Sequence, residues 1–163
     1  MHKLHLILQR LVKAKVEFVV IGGYAAVIHG SAYVTNDVDV CTVLSPENVE
    51  RIRAALVDLK PVHRQTHRRL SFLEHPAAGE EVQNLYLETD HGVIDILSSV
   101  LGVGDFHRLR EQAESVMLFG QTVKVISIDD LIAPKEAVGR DKDKLTAKEL
   151  RCLIEMRRKL NTD

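Results

Sequence analysis

Apolar residues along this chain follow two rhythms, and each change of rhythm marks a change of secondary structure. Leu4, Ile7, Leu8 and Leu11 recur at helical spacing, so residues 2–14 are predicted to form an amphipathic helix packed on a sheet. Val16-Glu17-Phe18-Val19-Val20-Ile21 is rich in β-branched residues and too short for a globular helix. It reads as a buried strand, followed by a diglycine and a short helix through Ile28. His29-Gly30 closes that helix, with Gly30 suited to a left-handed cap and a cationic His suited to the negative helix end.

Downstream, the valines of Asp37-Val38-Asp39-Val40-Cys41-Thr42-Val43 alternate with other residues, as in a strand buried on one face. Ser45-Pro46-Glu47 starts a helix whose stripe is Val49, Ile52, Leu56 and Leu59, completing a strand, helix, strand unit of α/β type. Glu81 to Leu97 reads as a hairpin turning at Thr89-Asp90-His91-Gly92. Leu101 to Gly104 is a loop, Asp105 to Ala113 a short helix, and Val116 to Phe119 with Val123 to Ile126 a second hairpin turning at Gly120-Gln121. Ser127-Ile128-Asp129-Asp130 opens a helix that Pro134 is expected to break or restart near Lys135. Thr146-Ala147-Lys148-Glu149 has the form of a capping box, opening a last helix with Leu150, Leu153, Ile154 and Leu160 inward.

Composition narrows the class without naming a substrate. The chain has 163 residues, 45% hydrophobic and 28% charged, which suits one compact domain spanning residues 1–163. A net charge of −1 leaves any polyanion contact to a local patch. Cys41 and Cys152 lack metal-ligand spacing, and no secreted disulfide framework is present. The amino terminus lacks a signal-peptide core, and the longest apolar run, Phe18 to Ile28, is interrupted by glycines. A cytoplasmic protein with no membrane partner is therefore expected.

Candidate chemistry gathers in four places. Gly22-Gly23 after a strand is either a plain turn or a place where backbone N–H groups can approach a phosphate. Asp37 and Asp39 point to the same face if their segment is a strand, with Cβ atoms roughly 6–7 Å apart. Carboxylates converging to about 4 Å repel by about 1 kcal/mol in water and about 4 kcal/mol at a partly buried site, so either the segment is a solvated loop or a hard divalent cation offsets the repulsion. Asp95 lies among apolar neighbours in Val93-Ile94-Asp95-Ile96-Leu97, and a carboxylate there needs a cation or a Lys or Arg partner. A basic stretch follows from Val62 to Glu74, with His63, Arg64, His67, Arg68 and Arg69. It is either a solvated surface or a contact for RNA or a second substrate. His75 to Glu80 reads as a flexible loop.

Gly22-Gly23, thirteen intervening residues, Asp37-Val38-Asp39-Val40 and a later strand Asp together resemble the signature of the DNA polymerase beta-like nucleotidyltransferase superfamily. The resemblance is closest to its small prokaryotic nucleotidyltransferase-like or abortive-infection-type branch, some of it associated with toxin–antitoxin pairs. His29-Gly30, Thr35, the run Asp130 to Lys135 and the run Gly139 to Asp143 match in order. One departure is Tyr33, where many relatives carry an Arg four residues before the first Asp, and it bears on acceptor or nucleotide preference.

The resemblance implies an α/β (α+β) nucleotidyltransferase fold, a small mixed sheet flanked by helices with a helical C-terminus, carrying its carboxylates at one edge. It implies transfer of a nucleoside monophosphate from an NTP to RNA, protein or a small molecule, with release of pyrophosphate. Asp37, Asp39 and Asp95 would be the catalytic and metal-binding residues, holding two Mg²⁺ ions or Mn²⁺ in their place. Gly22, Gly23, Thr35 and Lys135 would contact the nucleotide. Arg140 would orient the nucleotide or, as we prefer, pair with Asp143. Two other classes compete: a non-catalytic nucleotide-binding or regulatory module with a cognate toxin or antitoxin protein as partner, and a nuclease that uses the same carboxylates.

Overall fold

The computed structural model describes residues 3–32, 34–138 and 141–162. In chain order the elements are α1 (Leu4–Lys13), β1 (Val19–Ile21), α2 (Gly22–Ile28), β2 (Asp37–Cys41), α3 (Pro46–Ala55), β3 (Val62–His63), β4 (Asn84–Thr89), β5 (Gly92–Leu97), β6 (Ser99–Val100), β7 (Gly104–Asp105), α4 (Phe106–Gln112), β8 (Glu114–Leu118), β9 (Gln121–Val125), α5 (Ile128–Val138) and α6 (Asp141–Thr162). A turn of 3₁₀-helix at Val57–Leu59 follows α3.

Seven strands form one mixed sheet in the order β3-β4-β5-β2-β1-β9-β8. β2 lies antiparallel to β1 on one side and parallel to β5 on the other. The mixed sheet is the one expected, but its carboxylates sit on β2 and β5, in the interior rather than at an edge. The reason is that both flanks of β2 are taken, by the short strand before it and by the second arm of the hairpin.

The core follows the alternation in the sequence. Val38, Val40, Ile94 and Ile96 are buried, while the residues between them turn to the opposite face. α1 buries Leu4, Ile7, Leu8 and Leu11 and meets α3 and β5. The Ser45 hydroxyl caps α3 by accepting from the Asn48 N–H. The β4–β5 hairpin turns at Asp90-His91, and β8–β9 turns at Phe119-Gly120, one residue earlier than expected. The loop at Leu101 to Gly104 is drawn together by the β6–β7 pairing. The loop after His75 is tied down at its start, where Arg53 donates to the Pro76 carbonyl at 2.8 Å.

Two helix boundaries differ from expectation. Pro134 neither breaks nor restarts α5, which runs continuously through it. The ring removes one backbone donor, but the flanking turns hold because Leu131 and Ile132 are buried and α6 packs alongside. α6 starts at Asp141, so Thr146 is not its cap. Thr146 is buried within the helix. Glu149 reaches across to the chain before β2, accepting from the Ala32 N–H at 2.8 Å and the Ser31 hydroxyl at 3.2 Å. The apparent capping box is a tertiary contact.

His29 closes α2 as its C-cap residue and is also a fastening point. Its ring is buried and its Nε2 lies 2.7 Å from the Ile126 carbonyl beyond β9. Nδ1 lies 3.3 Å from Arg157 and 3.5 Å from Glu114. Among the described residues no helix is long and apolar enough to cross a membrane.

Candidate active site

The parallel pairing of β2 with β5 sets Asp39 directly beside Asp95 and Asp37 beside Val93. Because Val38 and Ile94 point into the core, the three carboxylates share the opposite face. One oxygen from each of Asp37, Asp39 and Asp95 lies within 4.8 Å of the others. Tyr86, the neighbour of Asp95 on β4, continues the row.

Such crowding has an electrostatic cost. Burial, aided by the charges of Asp37 and Asp95, pushes the Asp39 carboxyl up to about 7. Neighbouring carboxylates disfavour the charged form of Asp39. A cluster of hard oxygen donors with excess negative charge matches what Mg²⁺ or Mn²⁺ requires, so these residues fit the ions that the fold implies.

A cation already lies against them. Arg64, just past β3, places Nη2 at 2.6 Å and 2.5 Å from the two oxygens of Asp95, with Nε 3.2 Å from Oδ1. Its hydrogen bond to Asp95 holds the guanidinium above its ordinary value, and the group lies 5.6 Å from the centre of the Tyr86 ring. Of the two alternatives for Asp95, the Arg partner is the one the structure shows, and Asp95 keeps it while facing the acidic cluster. Sequence reasoning grouped Arg64 with four other basic residues. Its distinguishing signal is position, since the strand of His63 runs beside the hairpin that carries Asp95.

The diglycine opens α2 beside this row. Gly22 has φ of 67°, in the left-handed region, and a Cβ there would fall 2.3 Å from Asp39 Oδ2. A Cβ on Gly23 would meet the Thr35 hydroxyl at 3.4 Å. Thr35 in turn donates to the Asp37 carboxylate at 3.0 Å, so its closest role is to orient Asp37.

Two cavities flank the carboxylates. One of about 500 Å³ opens over Asp39 and Gly22, between Tyr86, Leu97, Val100 and the α5 residues Leu131 and Pro134. The other, of about 420 Å³, is more polar and is lined by Val34, Thr35, Asn36, Asp37, Arg64 and Val93. Lys135 follows Pro134 on α5. The Lys135 side chain, Tyr33, and the Arg140–Asp143 pair lie outside the described residues. Cys41, the last residue of β2, is buried, and burial pushes its thiol up to about 12.

No family model matches the chain and no curated protein is similar to it. Solved structures do match in fold. The lincosamide antibiotic adenylyltransferase LnuA, bound to lincomycin, superposes with a TM-score of 0.62 at 15% identity, covering 92% of this chain and 95% of that one. An antigenic nucleotidyltransferase-like protein from Paracoccidioides brasiliensis gives a TM-score of 0.57 at 14% identity, covering 94% and 74%. ANT(2")-Ia in complex with adenylyl-2"-tobramycin gives 0.50 at 12%, covering 91% and 94%. At these identities the likeness establishes the shared nucleotidyltransferase fold.

Proposed function

We propose that this protein is a divalent-metal-dependent nucleotidyltransferase that moves a nucleoside monophosphate from an NTP to a hydroxyl acceptor and releases pyrophosphate. The observation that carries this reading is the convergence of Asp37, Asp39 and Asp95 on one face beside the opening of α2, within 4.8 Å of one another. A nucleotidyltransferase fold alone supports many chemistries; the placement of these acids within it is what argues for the transfer.

In this reading Asp37, Asp39 and Asp95 would hold the metal ions. Two Mg²⁺ ions held there would supply charge stabilisation for both the attacking oxygen and the departing pyrophosphate. The acceptor oxygen forms its new bond to the α-phosphorus while the bond from that phosphorus to the bridging oxygen breaks. Asp95 takes the acceptor proton. Gly22 and Gly23 present backbone close to the β- and γ-phosphates with no side chain in the way. Thr35 keeps Asp37 aimed through its 3.0 Å hydrogen bond, and Lys135 supplies a compact positive charge to the triphosphate.

The test is incubation with each labelled NTP, MgCl₂ and a panel of acceptors: total RNA, cell-extract protein, and hydroxyl-bearing small molecules including aminoglycosides and lincosamides. Label transfer that vanishes in Asp37→Ala supports the reading. Absence of both transfer and Mg²⁺-dependent NTP binding would overturn it. RNA cleavage without NTP would point to a nuclease.

A second reading draws on Arg64. With the guanidinium occupying both oxygens of Asp95, the chain could serve as a non-catalytic nucleotide-binding module. That reading predicts NTP binding without label transfer.

A further inference from the structure

We propose that Arg64 is a latch on the acidic cluster: its contact with Asp95 competes with a divalent ion, and ion binding moves the guanidinium to a new position in the cavity lined by Thr35, Asn36 and Asp37, where it contacts a phosphate of the bound nucleotide. This inference rests on the reading that the three carboxylates hold divalent ions.

Three observations carry it. First, the contact competes directly for ligand atoms. Nη2 lies within 2.6 Å of both Asp95 oxygens and Nε approaches one of them. The guanidinium thereby engages both carboxylate oxygens, the atoms a metal ion would also use. A positive ion arriving at the cluster also meets a fixed positive charge within a few ångströms, in a partly desolvated site. Asp95 cannot serve guanidinium and metal ion equally.

Second, the anchor and the arm differ in how tightly they are held. The Arg64 backbone is pinned, with its N–H donating to the Tyr86 carbonyl at 3.0 Å. The side chain keeps 29% of its exposure, against 13% for Asp95. Residues 65–69 beyond it are exposed. A fixed Cα with a partly solvated guanidinium can change partner without moving the sheet.

Third, a destination exists. Arg64 also borders the polar cavity of about 420 Å³ and, among the described residues, is the one cationic residue lining it. That cavity lies on the Thr35 and Asp37 side, and Thr35 faces Gly23. Released from Asp95, the guanidinium has within reach the region where the diglycine would receive phosphates, and its planar fork suits phosphate oxygens. Ion binding and triphosphate binding then become linked: the ion frees Arg64, and the nucleotide gives it a new partner.

The linkage can be read without catalysis. Mn²⁺ binding is measured by electron paramagnetic resonance in the wild-type protein, in Arg64→Gln and in Arg69→Gln, with no nucleotide present. Arg69 is exposed and pairs with Glu88, so its variant removes the same charge away from the cluster. Arg64→Gln is expected to bind Mn²⁺ at least tenfold more tightly than wild type, and Arg69→Gln within twofold of it. With Mg²⁺ and a non-hydrolysable NTP analogue, Arg64→Gln is expected to bind the analogue at least tenfold more weakly.

In wild-type protein, the Arg64 Nε–Hε resonance is expected to shift and exchange faster with solvent as MgCl₂ is added, which reads the release directly and without a substitution. Equal Mn²⁺ affinity in wild type and Arg64→Gln, or an Arg64 resonance unmoved while Mg²⁺ binds, would overturn the latch and leave the metal site standing. Tighter ion binding with unchanged analogue affinity would keep the latch and remove the phosphate contact. No ion binding by any form, even with the analogue, would defeat the underlying metal reading itself.

Discussion

A methyl group placed on Gly22 would fall 2.3 Å from Oδ2 of Asp39. The residue that opens α2 is therefore also what allows the central carboxylate to sit where it does. A positive φ at Gly22 compounds the constraint, since a side chain there costs about 1–2 kcal/mol.

Gly22→Ala is accordingly expected to leave the fold intact, with unfolding free energy lowered by about 1–2 kcal/mol. Displacement of the Asp39 carboxylate should lower label transfer by roughly a hundredfold, the usual cost of a misplacement on the order of 1 Å at a reacting centre. Urea denaturation and the transfer assay separate the two effects. Wild-type transfer in a folded Gly22→Ala protein would show that Asp39 position is not limiting.

The raised Asp39 value has a defined consequence for pH dependence. The folded value of about 7 lies above the ordinary 3.8, so the native state retains a proton that the unfolded chain has already lost. Stability in the absence of metal should be greatest below pH 4 as far as this group is concerned, and should fall as pH rises from about 4 to about 7. For a half-buried group open to solvent the loss should be on the order of 2 kcal/mol. Asp39→Asn should abolish transfer yet be more stable than wild type at pH 8, with the difference shrinking at pH 4. Denaturant titrations at both pH values check the sign.

Metal addition should work against the same penalty. Where the ions reside on Asp37, Asp39 and Asp95, MgCl₂ raises the melting temperature more at pH 8 than at pH 5, because protons compete for the same oxygens. The shift should be absent in Asp37→Ala and in EDTA. Differential scanning fluorimetry across the two pH values is sufficient.

Glu149→Ala should lower stability by about 1–2 kcal/mol, since it removes two hydrogen bonds to a charged acceptor at a partly exposed site. Those bonds hold Ser31 and Ala32, a few residues before Thr35 and Asp37. Hydrogen exchange should rise in residues 31–36 and stay unchanged in β4 and β5. A uniform rise across the sheet would argue that Glu149 acts globally instead.

Pro134→Ala should restore the backbone donor that α5 lacks toward the Asp130 carbonyl and raise stability by about 1–3 kcal/mol. If stability falls instead, the ring contributes more through packing over the larger cavity than it costs in the helix.

The elements were largely legible in the sequence because each is governed by a pattern within a few residues. The helical recurrence of Leu4, Ile7, Leu8 and Leu11, the alternation of Val38 and Val40 with two acids, and the Thr89 to Gly92 turn all act locally. The points that escaped were those where one residue type serves two purposes. Thr146 and Glu149 have the spacing of a helix start, yet the energy comes from Glu149 bonding to a distant segment. Pro134 is a helix breaker in isolation, yet buried neighbours outweigh one lost hydrogen bond. Arg64 looks like one more basic surface residue until the β3–β4 pairing delivers it to Asp95.

By itself the sequence determined that Asp37 and Asp39 would face one way, because a strand's period of two leaves no choice once Val38 and Val40 are buried. What the tertiary structure alone decided is which strand lies beside β2. That β5 docks parallel to it, in the register that sets Asp95 level with Asp39, is the outcome of packing summed over the whole sheet. No short run of residues encodes such a sum, and the same packing delivered Arg64 to the acid it now holds.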